Sequence, residues 1–263
     1  MSGYIDLHNH ILHNIDDGPG TLNEAVMLAR AMVAAGYDTV VATPHVSEGK
    51  PAPAVIKKRL LEIQKELFKE QIPLILLPGS EHHIDPLIAD RLFDDDTLTI
   101  NFSRYLLLEL PFFQPLPPYT EELLFSLSVK GICPVIPHPE RVSAFQQDPA
   151  LLHKLAASGA IYQLTWGALT GRLGPEPERI TRYMVEANLA HLFATDAHNF
   201  AGRLMEVNNS VKVLEDMLGP GSSETYLISR SRAIIENKAL DLLPASSSAQ
   251  HPSKRFFFFK RSR

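Results

Sequence analysis

Apolar, β-branched runs alternate with segments of helical periodicity along the whole 263-residue chain. The runs predict strands at 4–7, 38–43, 73–77, 105–110, 132–136, 161–165 and 190–195. Helices are predicted between them. Thr21-Leu-Asn-Glu24 spells a capping box, and its helix runs to about Ala35, before Gly36. Residues 54–70 form a charged amphipathic helix. Further helices are expected from Asp85 to about Phe93, Thr120 to Lys130, Asp148 to Ser158, Pro177 to Asn188, Arg203 to Leu218 and Ser223 to about Leu240. Seven β-then-α units in regular alternation predict an α/β fold with parallel strands. Runs such as Val40-Val41-Ala42 and Leu106-Leu107-Leu108 are apolar on both faces, as strands covered on both sides must be. An open doubly wound sheet and a closed barrel both fit this alternation.

The polar residues at the strand ends favour closure. Strand one runs into His8 and His10, with Asp17 shortly after, and alternation along a strand turns the two imidazoles the same way. Strand two ends at His45, strand three at Glu81, and Glu109 interrupts the apolar fourth. Strand five ends His138-Pro139-Glu140-Arg141, and strand seven ends Asp196-Ala197-His198. Taken singly, each has a structural reading: a salt bridge for Glu109, a rigid turn for His138. Only a closed barrel brings all these ends around one point. Five histidines and four carboxylates are too many for one ion and suit two or three that share a carboxylate. Mixed nitrogen and oxygen donors without thiolate suit manganese, iron or zinc. Such a cluster activates water and clamps phosphate oxygens, which makes phosphate-ester hydrolysis its natural chemistry.

Composition narrows the classes. The net charge of −5 disfavours wholesale nucleic-acid binding. The lone cysteine, Cys133, lies in an apolar run without the C-x5-R loop of a cysteine phosphatase and reads as buried filler. Charged and histidine residues from Asp6 onward do not read as a signal peptide, and no apolar run approaches the ~20 residues of a membrane span. A cytoplasmic location is expected. Residues 1–243 read as one catalytic domain and 244–263 as a flexible tail, whose Phe256–Phe259 flanked by five cations offers peripheral contact with an anionic membrane. A terminus without function is the alternative.

The chain resembles the PHP (polymerase and histidinol phosphatase) superfamily. Within it, the chain is similar to the manganese-dependent bacterial protein-tyrosine phosphatases of capsule and exopolysaccharide clusters. The resemblance rests on Asp6-Leu-His-Asn-His10, Asp16-Asp-Gly-Pro19, Ala42-Thr-Pro-His45, Gly79-Ser-Glu81, Leu107-Leu-Glu-Leu-Pro111, His138-Pro-Glu-Arg141 and Thr195-Asp-Ala-His198-Asn199, in order over residues 4–203. It implies a distorted (βα)7 barrel with a trinuclear site at the C-terminal ends of the strands. His8, His10, Glu81 and Asp196 would hold one ion. Glu81 would bridge to a second, completed by Glu109 and His138, and Asp17, His45 and His198 would hold the third. Arg141 and Arg203 would grip the substrate phosphate. Val46, and Leu204-Met205 after Arg203, depart from the family pattern and bear on substrate fit. His13, His82 and His83 are assigned to the rim or to support.

The implied activity is hydrolysis of phosphotyrosine on a protein, with the tail of a cognate tyrosine kinase as substrate. Phe112, Phe113, Tyr119 and Phe200 are available to flank it or to pack. A small-molecule phosphatase acting on histidinol phosphate, and a non-catalytic metal-stabilised docking module, are the alternatives.

Overall fold

The computed structural model describes residues 3–92, 98–200 and 206–246. Each expected strand is present: β1 (Tyr4–Asn9), β2 (Tyr37–Ala42), β4 (Ile75–Pro78), β6 (Tyr105–Glu109), β7 (Cys133–Pro137), β8 (Ile161–Thr165) and β9 (Leu192–Ala194). Two are prolonged after a bend, β2 into β3 (His45–Val46) and β4 into β5 (Glu81–His83). All pairings are parallel. One sheet runs β1-β2-β4 and the other β3-β5-β6-β7-β8-β9. The bent strands pass from one sheet to the other. Beyond β9 the ring closes on β1, where Asp196 N donates to His8 O (3.0 Å) and His10 N donates to Ala197 O (2.9 Å). The result is a distorted (βα)7 barrel.

Burial follows the strand period. Ile5, Leu7, Val41, Leu107, Val135, Ile161 and Leu192 pack together inside the ring, which Ile100 and Ile234 close at the N-terminal end of the strands. The alternate positions Val40, Leu106, Leu108, Ile136, Tyr162 and Phe193 face outward into a larger core shared with helix residues such as Leu28, Ile63, Leu124, Leu152 and Ile180. The first of these helices, α1 (Leu22–Ala34), begins with the capping box anticipated at Thr21 and Glu24. It is followed by α2 (Pro53–Lys69), α3 (Ile88–Arg91), α4 (Thr120–Val129), α5 (Ser143–Gln147), α6 (Ala150–Ala157), α7 (Pro175–Glu186) and α8 (Val207–Leu218).

Two helix expectations need correction, and one short helix is new. Among the described residues of the span from Asp85, only Ile88–Arg91 is helical, because Asp85 Oδ1 caps Leu87 N in a turn ahead of it. The helix expected from Asp148 is α6, which starts where Asp148 Oδ1 accepts from Ala150 N, and the short α5 ahead of it is not among the expected helices. The last helical stretch, α9 (Ser222–Glu224) continued through a π turn (Thr225–Ser229) into α10 (Arg230–Ile235), stops short of Leu240. Asn237 takes a positive φ of 56° there, and its backbone and side chain hold Arg104. Ser246 N donates to Ala187 O (2.8 Å) and Asn188 Nδ2 donates to Pro244 O (3.2 Å). The rest of the tail lies outside the described residues, as does Arg203.

Candidate metal centre

The inner face of the barrel changes character at the C-terminal ends of its strands. Leu107 faces inward, and the strand period turns Glu109 the same way. On β1 the period alone would put His8 and His10 opposite Ile5 and Leu7. A register shift between Asp6 and Asn9 re-aims the strand, and both imidazoles turn into the cup. His138 and Asp196, just beyond the ends of β7 and β9, adopt left-handed backbone (φ 36° and 51°). Non-glycine residues so placed carry strain that the surrounding structure must hold.

Glu81 lies at the centre. Its Oε2 is 3.1 Å from His8 Nε2, 3.3 Å from His10 Nε2 and 3.0 Å from His45 Nδ1, and its Oε1 is 2.8 Å from His138 Nε2. Asp196 Oδ1 lies 3.6 Å from His8 Nε2 and 3.4 Å from His10 Nε2. Asp17 Oδ1 lies 3.2 Å from His198 Nε2 and 3.6 Å from His45 Nε2. Glu109 Oε1 is 3.7 Å from His138 Nε2. The nine anticipated side chains therefore meet in one cup. Their donor atoms converge in overlapping groups: His8, His10 and Glu81; Glu81, Glu109 and His138; His10, Asp17, His45 and His198. A further group, His45, His83 and Glu109, brings in a residue that sequence reasoning left at the rim. His83 Nδ1 is 2.9 Å from Glu109 Oε2.

The protonation of the two β1 histidines is dictated from behind. His8 Nδ1 donates to Gln163 Oε1 (2.6 Å), an amide whose Nε2 is committed to Leu164 O, and His10 Nδ1 donates to Asp16 Oδ2 (2.8 Å). Both acceptors can only accept, so each ring keeps its proton at Nδ1 and points Nε2 into the cup. The two Nε2 atoms are 3.1 Å apart, close enough for both to serve one cation. Glu81 Oε2, Glu109 Oε2 and His45 Nδ1 are buried against other ligand atoms at 2.9–3.3 Å without an aligned hydrogen bond. Buried nitrogen and oxygen ligands crowded in this way fit a metal cluster. In the protein alone, burial would lower His10, but Asp16, Asp196 and Glu81 hold it well above the usual histidine range. Burial would raise Glu81, but the four facing imidazoles hold it well below the usual carboxylate range.

Gln163 and Asp16 were not singled out as site residues from the sequence. Gln163 had a signal, a lone amide in the apolar run Ile161–Leu164. Asp16 reaches His10 because the Asp16–Pro19 loop lies against β1: a Cβ on Gly18 would stand 2.1 Å from His10 O. Arg141 reaches the cup's edge, with Nη1 3.3 Å from Asp196 Oδ2 and its guanidinium 4.3 Å above the Phe112 ring. Phe112 also meets His138 edge-on, at 5.1 Å. Phe113 and Phe200 are exposed, and Tyr119 is half-buried. His82 turns away to a buried contact with Ser80 Oγ (2.7 Å), and His13 pairs with Glu62 at 3.5 Å. Cys133 is half-buried, and burial pushes its thiol up to about 11, so it is no nucleophile.

Comparisons with known proteins agree with this geometry. A family model described as capsular polysaccharide synthesis, CpsB/CapC, matches residues 4–236. The tyrosine-protein phosphatase YwqE of Bacillus subtilis (strain 168) is 38% identical over 233 residues, covering 88% of this chain and 91% of that protein. The tyrosine-protein phosphatase CpsB of Streptococcus pneumoniae is 26% identical over 246 residues, 90% and 100% of the two chains. A solved structure from the work on YwqE of B. subtilis and CpsB of S. pneumoniae, described as metal-dependent tyrosine phosphatases, superposes with a TM-score of 0.87 at 36% identity, covering 92% of this chain and 98% of that one. The chain belongs to the CpsB/CapC family of capsular polysaccharide synthesis.

Proposed function

We propose that this chain is a metal-dependent protein-tyrosine phosphatase of capsular polysaccharide synthesis. The observation that carries the reading is the convergence of five imidazoles and four carboxylates on one cup, with nitrogen and carboxylate oxygen atoms crowded face to face. The cup accommodates manganese, with iron or zinc as alternatives, because its donors are nitrogen and oxygen only. His8, His10, Glu81 and Asp196 would hold one ion, Glu81, Glu109 and His138 a second, and Asp17, His45 and His198 a third. Bound ions supply positive charge for the phosphate oxygens and acidify water.

The chain's own residues complete the site. Arg141 offers a planar fork for phosphate and is pre-set by Asp196 on one side and the Phe112 ring beneath. Arg203 is proposed as a second phosphate ligand. Gln163 and Asp16 fix the orientation of the imidazoles they accept from. Asp17 and His83 are more than half exposed in their side chains, so the cup opens to solvent on that side, as a phosphate borne on a protein requires.

The substrate we propose is the phosphorylated tail of a bacterial tyrosine kinase. We also propose a cytoplasmic enzyme kept near an anionic membrane by its basic, Phe-rich end. Among the described residues no helix is long and apolar enough to cross a membrane. Removing residues 247–263 leaves the Pro244 and Ser246 contacts in place. Unchanged membrane association after this truncation would remove the tail proposal. The central test is turnover of a phosphotyrosine peptide with manganese, against a chelated sample and against histidinol phosphate. Metal-dependent turnover favouring the peptide is expected. Preference for histidinol phosphate would assign the site to small molecules, and no turnover of any phosphomonoester would leave a docking module.

A further inference from the structure

We propose that the groove between the β6–α4 loop and helices α5 and α6 is a subsite for an apolar residue next to the phosphotyrosine of the substrate polypeptide. The proposal rests on the phosphotyrosine reading above. The groove has a volume of about 440 Å³, within the range of pockets that hold a ligand.

It adjoins the metal centre through the Phe112–Phe113 step. Phe112 packs against His138 and beneath Arg141, and its carbonyl accepts from Ser143 N (2.7 Å), fastening the loop to the start of α5. The next residue, Phe113, turns outward, 84% exposed, and forms the near lip of the groove. A polypeptide whose phosphotyrosine reaches Arg141 would then have a neighbouring residue within reach of this lip.

The lining selects the chemistry of what enters. Pro115, Pro117 and Pro118 have no N–H to offer, and Leu116, Leu151 and Leu155 supply apolar walls. The exposed Phe113 ring adds an aromatic face. The charged lining residues, Glu121 and Asp148, are both carboxylates. Glu121 is paired with Lys154 (2.6 Å), and Asp148 caps Ala150 N (3.1 Å). The groove therefore favours an aliphatic or aromatic neighbour and repels an acidic one.

The test compares kcat/KM, with manganese present, for p-nitrophenyl phosphate and for three phosphotyrosine hexapeptides flanked by leucine and phenylalanine, by serine, or by aspartate. The apolar-flanked peptide is expected to lead the serine peptide by about tenfold, as burial of one apolar side chain implies, with the aspartate peptide last. Gln147→Trp fills the groove from its exposed outer edge, and Ala144→Glu charges its wall. Each should collapse the preference to within about twofold, on the scale where tenfold is 1.4 kcal/mol, while p-nitrophenyl phosphate turnover and the circular dichroism spectrum stay as in the parent. Equal rates for the leucine–phenylalanine and serine peptides, or a preference that survives both substitutions in folded protein, would overturn the subsite. If no peptide is cleaved while p-nitrophenyl phosphate is, the phosphotyrosine reading fails and the subsite falls with it.

Discussion

Arg141 carries the sharpest prediction at the scale of single residues. Its guanidinium is held between the Asp196 carboxylate and the Phe112 ring, a position that uses planarity twice, once for stacking and once for a two-pronged grip on phosphate. Lysine keeps the charge and loses both. Hydrogen bonds to charged groups contribute about 1.5–3 kcal/mol, so Arg141→Lys should lower kcat/KM on p-nitrophenyl phosphate by about tenfold or more. Parent-like activity in this variant would remove Arg141 from phosphate recognition. Gln163 is tested differently, because it touches no substrate. Gln163→Leu keeps the side-chain volume and deletes the acceptor for His8 Nδ1, so His8 can rotate or shift its proton to Nε2. Manganese affinity, followed by titration of the metal-free protein, should fall about 10–100-fold. An unchanged affinity would mean that packing alone orients the ring.

Among the elements, β1 depends on a polar latch to the end of β9. Buried Asp6 accepts from Thr195 N (2.9 Å), Thr195 Oγ1 (2.5 Å) and Asn9 Nδ2 (2.9 Å). These bonds lie at the seam where the barrel closes, one residue before Asp196 enters the cup. Thr195→Val preserves shape and leaves a buried carboxylate oxygen short of a donor. It should cost about 1–3 kcal/mol in urea denaturation and lower activity through the displaced Asp196. The same seam shows what is and is not legible in the sequence. The seven main strands are legible because strands buried on both faces write continuous apolar runs, and Glu109 because a carboxylate inside such a run demands a reason. The prolongations β3 and β5 are illegible because His45–Val46 and Glu81–His83 carry no apolar pattern of their own. Thr195 is separated from Asp6 by most of the chain, so its role depends on closure, which no local pattern encodes. The end of α10 is set by a left-handed Asn237 and its grip on Arg104, a contact between distant segments, where local periodicity would carry the helix on to Leu240.

At the scale of the whole molecule, stability couples to solution conditions both through the cup and through groups outside it. An ion that binds only the folded barrel stabilises it by mass action, about 2.7 kcal/mol per site at a hundredfold excess over Kd. Chelation should therefore lower Tm, and manganese should restore it. The pH dependence has a separate source in His191, buried behind β8. Its Nδ1 accepts from Tyr162 N (2.9 Å), its ring stacks on Tyr162 at 5.7 Å, and Arg230 Nη1 binds its carbonyl (2.9 Å). Burial first, and the Arg230 charge second, lower its pKa from 6.5 to about 4. A histidine with a depressed value in the folded state favours folding fully above the unfolded value. That advantage is lost as pH falls from about 6.5 towards 4, because the unfolded chain takes up the proton first. The loss amounts to about 3 kcal/mol by pH 4 and about 2 kcal/mol by pH 5. His82, also buried and lowered to about 4, titrates in the same window, so the total slope does not identify the residue. His191→Asn does, because its amide oxygen can still accept from Tyr162 N while it cannot be protonated. Urea denaturation of the metal-free protein at pH 7 and pH 5 should show the variant losing about 2 kcal/mol less than the parent across that interval. Identical losses in the two proteins would place the acid sensitivity of this barrel elsewhere.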